Sequence, residues 1–250
     1  MRSQANSPVM KASVLAFRFR VVIFLLLYLV GFLPPWERRL AGGGTLWLAA
    51  SALLARTGWI GLEAATLTVT ISALACLVLG TILRLSGTAY LGSGIMQSVA
   101  LQGEQFVAAG PYGYVRNPLY LGAWLLALGA SILMPLSGAL FFLPAFTLFV
   151  LFLIFTEEGF LAAKQADFYQ QYRRRVPRLL PRLGAVSATA AVRPHWLQAV
   201  LAETYPIAFT LCFAIFAWRY NAHILIRCLL ICYGLSLVMR ALAKGQPAVA

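Results

Sequence analysis

The chain has 250 residues, of which 61% are hydrophobic and 11% are charged. Soluble domains carry about 25% charged residues, so this composition excludes a soluble globular domain and predicts a membrane protein. The formal net charge is +13, but Lys and Arg stand in short groups between apolar runs. That pattern is typical of cytoplasmic loops beside anionic lipid, so we expect membrane lipids, and no nucleic acid, as partners.

The first apolar run follows a basic N-terminal segment and ends in the sequence PPWERR at 34–39. It has no small-residue cleavage site, which predicts an uncleaved first span rather than a signal peptide. About 20 residues are needed to cross a bilayer. In chain order the apolar runs of that size are 18–36, 62–83, 118–134, 137–156, 197–218 and 222–243.

A further run, 45–61, is interrupted by Arg56 and Gly58, and it is either a seventh span or a re-entrant helix. The sequence therefore predicts an all-α, polytopic transmembrane helix bundle of six or seven spans. Within it we expect three parts. They are N-terminal transmembrane helices at 1–96, a functional core with a helical hairpin at 97–183, and a C-terminal transmembrane hairpin at 184–250.

Side chains that bind metals are scattered. The four cysteines lie inside apolar runs, where small side chains in helix packing are the usual case. Cys228 and Cys232 share a helix face but have no further ligands near them, and His195 and His223 are isolated. We therefore predict no metal site.

Charges inside the C-terminal runs are few, and each needs a partner in the bilayer. Glu203 and Arg240 lie at similar distances from the predicted turn at 219–221. They are therefore predicted to pair across the last two helices.

Two polar stretches, 84–117 and 157–196, separate the apolar runs. In the second, apolar and aromatic side chains recur at roughly helical spacing, three arginines follow at 173–175, and Pro177 ends the helix. This predicts a basic amphipathic helix on the cytoplasmic face. One stretch precedes the run 118–134 and the other follows 137–156, so we expect both at the open end of one helical hairpin.

The sequence VRNPLY at 115–120 places Asn117 and Pro118 at the start of an apolar run. Proline is favoured at the first helical position, and asparagine is among the best N-caps, so a helix is predicted to begin here. The N–H groups at a helix N-terminus attract anions, and Arg116 adds a positive charge. The alternative is that Arg116 only anchors the helix at the lipid headgroups.

Two adjacent carboxylates, Glu157 and Glu158, follow the run 137–156. They are costly to desolvate, and we expect them near a helix C-terminus, where the helix dipole disfavours them. They therefore need a cation, which is either Arg116 or the positive group of a ligand. An anion site and a carboxylate pair together suit a zwitterion such as an amino acid moiety.

Residues 97–122 and 157–181, about the middle third of the chain, resemble the isoprenylcysteine carboxyl methyltransferase and phospholipid methyltransferase superfamily of integral membrane enzymes. The resemblance consists of a spaced pattern before and within one apolar run, and of a glutamate pair with aromatic residues after the next. The shared residues are Gly110, Tyr112, Arg116, Pro118, Tyr120, Gly122, Glu157, Glu158, Leu161, Tyr169, Tyr172, Val176 and Pro177.

The resemblance implies S-adenosylmethionine as cofactor and methyl transfer to a lipophilic small-molecule or lipid acceptor from the bilayer. It also implies an active site that faces the cytoplasm under the amphipathic helix. We predict Arg116 and Glu158 as catalytic residues. Position by position, the implied cofactor-binding residues are Gln97, Glu104, Gln105, Phe106, Val107, Tyr112, Asn117, Pro118, Leu119, Tyr120 and Glu157.

The chain departs from the family pattern at two positions. A familiar member has histidine where this chain has Asn117, and an amide cannot act as a general base. Isoprenylcysteine carboxyl methyltransferases place an arginine one helical turn before the glutamate, where this chain has Leu153. Because leucine cannot neutralise a carboxylate, we expect an acceptor that is neutral at this point or is held by another cation such as Arg116.

Two other functions stay open. One is phospholipid N-methylation, and the other is a non-enzymatic lipid-binding or transport membrane protein. Transporters typically show internal repeats and broken helices, and the sequence shows neither. The segment GSGIMQ at 92–97 lacks a third glycine and a preceding strand pattern, which excludes a soluble dinucleotide-binding fold.

Overall fold

A computed structural model describes residues 19–35, 44–91, 109–164, 166–182, 184 and 193–219, and also the single residues 227, 228, 231 and 234. Within these ranges all the regular elements are helical, which confirms the all-α prediction. The α-helices are α1 (Arg20–Phe32), α2 (Leu46–Ala55), α3 (Leu62–Leu91), α4 (Pro118–Ser131), α5 (Leu136–Lys164), α6 (Ala166–Arg175), α7 (Trp196–Ala202) and α8 (Thr204–Arg219), with a 3₁₀ turn at Gly110–Gly113.

Two of the described helices, α3 and α5, are long and apolar enough to cross a membrane. The run predicted at 197–218 is not continuous. It forms α7 and α8, which are bent by 68° and make a third candidate if the pair counts as one span. The helices α1, α2 and α4 are apolar but shorter. At 1.5 Å per residue, the 13 residues of α1 reach about 20 Å, against a hydrocarbon core of about 30 Å.

The predicted six or seven spans therefore stay a prediction, and the last run, 222–243, lies outside the described residues apart from single positions. Two helices extend beyond the ends predicted for their runs. Helix α3 continues through 84–91, and α5 continues to Lys164. The polar residues that suggested an end to each run are accommodated within the helices.

The described residues fall into two compact units. The first holds those within Met1–Val69 and Ala130–Arg174, and the second holds those within Thr70–Gln97, Gln105–Gly129 and Arg175–Ala250. The three-part division at 1–96, 97–183 and 184–250 stays a prediction.

In the first unit, α1 packs along α5 through aromatic side chains. The rings of Phe24 and Phe146 are 5.0 Å apart, and those of Tyr28 and Phe142 are 4.8 Å apart. A Cβ atom on Gly138 would collide with the carbonyl oxygen of Gly31, so the two backbones touch directly. Burial of these rings stabilises the pair through apolar contact and favourable ring geometry.

The start of α2 is also fixed in the first unit. The N–H of Leu46 donates to the carbonyl of Met134 at 2.9 Å, and the N–H of Leu136 donates to that of Gly44 at 3.0 Å. Thr45 and Pro135 form an isolated antiparallel bridge. The turn before α5 therefore satisfies backbone groups that the start of a helix would otherwise leave unpaired.

In the second unit, α3 packs against α4 with almost no side chains between the two backbones. A Cβ on Gly122 would lie 2.7 Å from the carbonyl oxygen of Gly80, and one on Gly129 would lie 2.8 Å from that of Ala73. Small residues at such positions let membrane helices approach closely. Leu77 and Ala127 are fully buried beside this contact.

The C-terminal helices of the second unit are joined to α3 by polar bonds. The hydroxyls of Thr81 and Thr210 lie 2.8 Å apart. Glu203 is paired with Arg84, Nε to Oε2 at 2.7 Å. The carboxylate of Glu203 thus has a partner on α3 that the sequence did not indicate. Arg240 lies outside the described residues, so its predicted pairing with Glu203 stays a prediction.

Candidate functional site

The segment before α4 is shaped by a glycine with a left-handed backbone. Gly110 has φ +58°, and a Cβ at this position would lie 2.5 Å from the ring of Tyr90. Only glycine adopts this conformation readily, and here the ring excludes a side chain as well. The 3₁₀ turn that follows buries Tyr112 and Gly113.

The loop 114–117 is held in place by the segment 177–182, which follows the basic helix α6. The sequence indicated only that the prolines at 177 and 181 end that helix, so this second role was missed. Three hydrogen bonds join the segments: the N–H of Arg116 to the carbonyl of Pro177 at 2.9 Å, the N–H of Arg182 to the carbonyl of Tyr114 at 3.0 Å, and Nδ2 of Asn117 to the carbonyl of Arg178 at 3.2 Å.

The helix predicted to begin at Asn117-Pro118 does begin there. Pro118 is the first residue of α4, and the carbonyl of Asn117 accepts a bond from the N–H of Leu121 at 3.0 Å. Asn117 is buried, and Arg116 and Tyr120 are half-buried. A helix N-terminus with a guanidinium beside it is an environment that favours an anion.

The first turns of α4 rest directly on α3. A Cβ on Gly87 would lie 2.8 Å from the side chain of Leu119 and 3.6 Å from that of Pro118. One on Gly122 would lie 2.7 Å from Cγ of Arg84. The position of the predicted anion site is therefore set by close contact within the second unit.

The predicted carboxylates belong to the first unit. Glu158 is only 7% exposed, and Glu157 is half-buried. Both lie well inside α5, six and seven residues before its end at Lys164. The expectation that they stand near a helix C-terminus is therefore wrong, because the dipole effect is confined to the last turn. One turn earlier, Leu153 and Ile154 are fully buried.

Helix α6 carries the basic sequence that was predicted to be amphipathic. It buries Tyr169 and Tyr172, whose rings are 6.2 Å apart, and it leaves the arginines at 173–175 exposed. The amphipathic character expected from the spacing stays a prediction. The placement of α6 on the cytoplasmic face, over a cofactor, also stays a prediction.

Part of the predicted site falls outside the described residues. Among the described residues, no group of three His, Cys, Asp or Glu side chains is arranged to hold a metal ion. The predicted cofactor-binding residues that lie outside the described part are Gln97, Glu104, Gln105, Phe106 and Val107.

Comparison with known proteins gives matches over part of the chain. Residues 67–166 match the family described as phospholipid methyltransferase. The chain is 37% identical over 115 residues to protein-S-isoprenylcysteine O-methyltransferase of Schizosaccharomyces pombe, which covers 44% of this chain and 48% of that protein. No solved structure matches the chain.

Two bacterial enzymes match over shorter segments. Methanethiol S-methyltransferase of Crocosphaera subtropica is 40% identical over 76 residues, which is 30% of this chain and 29% of that protein. Methanethiol S-methyltransferase 2 of Bradyrhizobium diazoefficiens is 44% identical over 85 residues, which is 34% of this chain and 32% of that protein. The chain therefore matches about half, or less, of the length of these relatives.

The printed names of the matched family and of these relatives all belong to one class, the methyltransferases. Within that class, the segment 67–166 belongs to the superfamily that includes the phospholipid and isoprenylcysteine carboxyl methyltransferases. The resemblance found in the sequence is thereby confirmed. The matched segment contains the start of α4 and both carboxylates of α5, so the predicted site lies where the family likeness is found.

Proposed function

We propose that the protein is an integral membrane methyltransferase that transfers a methyl group from S-adenosylmethionine to a lipophilic acceptor from the bilayer. The observation that carries this proposal is the start of α4. There Tyr114, Arg116 and Asn117, directly before Pro118, are hydrogen-bonded to the segment 177–182 and lie inside the family match. A loop held in this way keeps its N–H groups aimed in one direction, as a binding site requires.

The described residues include a positive charge, hydrogen-bond donors and a carboxylate, which are the groups that would bind the cofactor. S-adenosylmethionine carries a carboxylate, an ammonium and a sulfonium group. The N-terminus of α4, with Arg116 and the phenol of Tyr120, supplies positive charge and donors for the carboxylate. Glu157 supplies negative charge for the cationic groups. By the resemblance, Gln97, Tyr112, Asn117, Pro118, Leu119 and the stretch 104–107 complete this site.

When bound, the cofactor would supply an electrophilic methyl group on its sulfonium. The residues of this chain orient the reactants and exclude water. Alignment of that kind lowers a barrier by up to about 7–11 kcal/mol. Asn117 cannot take a proton, so we propose no general base at this position. Arg116 and Glu158 are proposed to set the charge around the reacting groups.

The proposed acceptor carries no charge at the level of Leu153. This side chain is fully buried in α5, and an unpaired carboxylate against it would be strongly disfavoured. The names of the relatives span oxygen and sulfur acceptors, and the match to the phospholipid methyltransferase family supports N-methylation of a phospholipid as the second candidate. An acceptor that does carry an anion would need Arg116 as its counter-ion.

We further propose a multi-pass topology of six or seven spans with the active site facing the cytoplasm. The exposed arginines at 173–175 support this orientation, since basic segments favour the cytoplasmic side and anionic lipid. Helices α1, α2 and α4 would supply the additional spans.

Calorimetry on the purified protein in detergent tests the cofactor half of this proposal. We expect saturable binding of S-adenosylmethionine and of its demethylated product, S-adenosylhomocysteine, at one site. A protein that binds phospholipid but neither of these compounds would contradict the proposal and favour the lipid-binding or transport function.

A further inference from the structure

One face of α3 carries a line of polar groups directed at the C-terminal helices. The backbone carbonyl of Leu77 and the side chains of Thr81, Arg84 and Thr88 recur every three or four residues, which places them on one side of the helix. The hydroxyl of Thr210 lies 3.4 Å from the Leu77 carbonyl and 2.8 Å from Thr81 Oγ1. The side chains of Arg84 and Thr88 both bind a single carboxylate.

That carboxylate is Glu203, which is only 1% exposed. Arg84 donates to it twice, from Nε to Oε2 at 2.7 Å and from Nη2 to Oε1 at 2.9 Å. Thr88 donates a third bond to Oε1 at 2.8 Å. A buried carboxylate is tolerated only when it is paired and hydrogen-bonded, and α3 meets that need here.

Glu203 is also the residue at the bend between α7 and α8. Its N–H closes α7 on the carbonyl of Ala199 at 2.9 Å, and its carbonyl accepts the N–H of Ile207 at 3.2 Å in α8. The two helices meet at 68° on either side of it. The side chain of the bend is thus fastened to α3 by three bonds.

Arg84 connects this bend to the start of α4. Its Cγ fills the space beside Gly122, where an added Cβ would lie 2.7 Å away. Gly122 lies one turn after Pro118, so the stem of Arg84 supports the turn that carries the predicted anion site. Without Glu203, the guanidinium of Arg84 would need water or another hydrogen-bond acceptor. The side chain would then turn toward that acceptor, and its stem would leave Gly122.

We propose that Arg84 and Glu203 are positioning residues for methyl transfer, through which the bent C-terminal helices fix the first turns of α4. This inference rests on the proposed function. It gives a role in the reaction to α7 and α8, which lie outside the family match at 67–166. Neither residue needs to touch the cofactor, because both act through the contact between α3 and α4.

The test uses the full chain and measures cofactor affinity by calorimetry, the melting temperature, and kcat and KM for the cofactor. The variants are Glu203→Gln, which keeps the shape of the side chain, and the double change Arg84→Ala with Glu203→Leu, which removes both charges and the Arg84 stem beside Gly122. Thr210→Val is the matched control, since it cuts a bond in the same interface away from α4. All assays run well below the melting temperature of every variant.

We expect both pair variants to weaken cofactor binding and raise KM by about fivefold or more, in the range of coupling between linked sites. We expect Thr210→Val to lower the melting temperature and leave affinity unchanged. The inference is overturned if the pair variants bind like wild type, or if Thr210→Val weakens binding equally. If Glu203→Gln is not recovered folded, the double variant decides. A wild type without cofactor binding would instead overturn the proposed function.

Discussion

Tyr120 and Glu157 each have a close neighbour that makes a matched comparison possible. Tyr114 is an exposed tyrosine at 43% accessibility, in the same unit as the half-buried Tyr120. Thr156 precedes Glu157, and its hydroxyl is occupied by the carbonyl of Phe152 at 2.9 Å. Of these four residues, only Tyr120 and Glu157 are proposed to contact the cofactor.

Glu157→Gln and Tyr120→Phe are therefore expected to weaken cofactor binding by about 1.5–3 kcal/mol each, the range for a hydrogen bond to a charged group. Calorimetry measures the change, with Thr156→Val and Tyr114→Phe as controls that should bind like wild type. Equal effects in test and control variants would remove these two residues from the cofactor site.

Leu153 is the residue that sets our expectation for the acceptor. Because it is fully buried and apolar, farnesylcysteine analogues, which present a carboxylate, should be poor substrates of the wild type. Leu153→Arg should improve their methylation if the variant folds, while Leu153→Met, a change of similar volume, should not. Efficient formation of the methyl ester by the wild-type protein would contradict this expectation and indicate an isoprenylcysteine carboxyl methyltransferase.

At the scale of elements, α4 depends on how it begins. Pro118 is its first residue, a position where proline removes no helical hydrogen bond. Pro118→Ala should therefore insert and fold normally but lose cofactor affinity, because the geometry of the first turn relaxes. Topology mapping and calorimetry together check this. Failure to insert would contradict the placement of Pro118 at the helix start.

The contact of α3 with α4 gives a prediction about stability. Gly122→Val should lower the free energy of unfolding by about 1–3 kcal/mol, the usual cost of overpacking, because a Cβ there meets backbone and Arg84. Gly159→Ala in α5 is the control, since a Cβ there has nothing within 4 Å. It should raise stability by about 0.5–1 kcal/mol. Thermal unfolding in detergent measures both, and equal stability of Gly122→Val and wild type would contradict the contact.

The sequence predicted the beginnings of elements better than their ends. Asn117-Pro118 was sufficient to place the start of α4, because capping is a local property. The predicted ends of α3 and α5 are too early, because the polar stretches that begin at Arg84 and Glu157 indicated an end to each run. Polar residues inside these helices depend on contacts that only the folded chain provides, such as the bonds between Arg84 and Glu203. The same holds for the bonds from 177–182 to the loop before α4.

At the scale of the whole molecule, the family match and the folded units follow different boundaries. The match at 67–166 includes parts of both units, and the second unit also contains α7 and α8. A region outside the matched segment thus supplies Glu203, the buried partner of Arg84. Local motifs indicated the segment that matches the family. The ion pair between Arg84 and Glu203 joins residues more than 100 positions apart, and no local spacing predicts it.

The most direct measurement is transfer of an isotopically labelled methyl group. The purified protein is incubated with labelled S-adenosylmethionine and a lipid extract, and the products are identified by mass spectrometry. We expect label in a lipid-phase product that carries one added methyl, formed in equal amount with S-adenosylhomocysteine and reduced in Glu157→Gln. Binding of cofactor without any labelled product, across lipid extracts and thiol acceptors, would contradict the assignment as a methyltransferase.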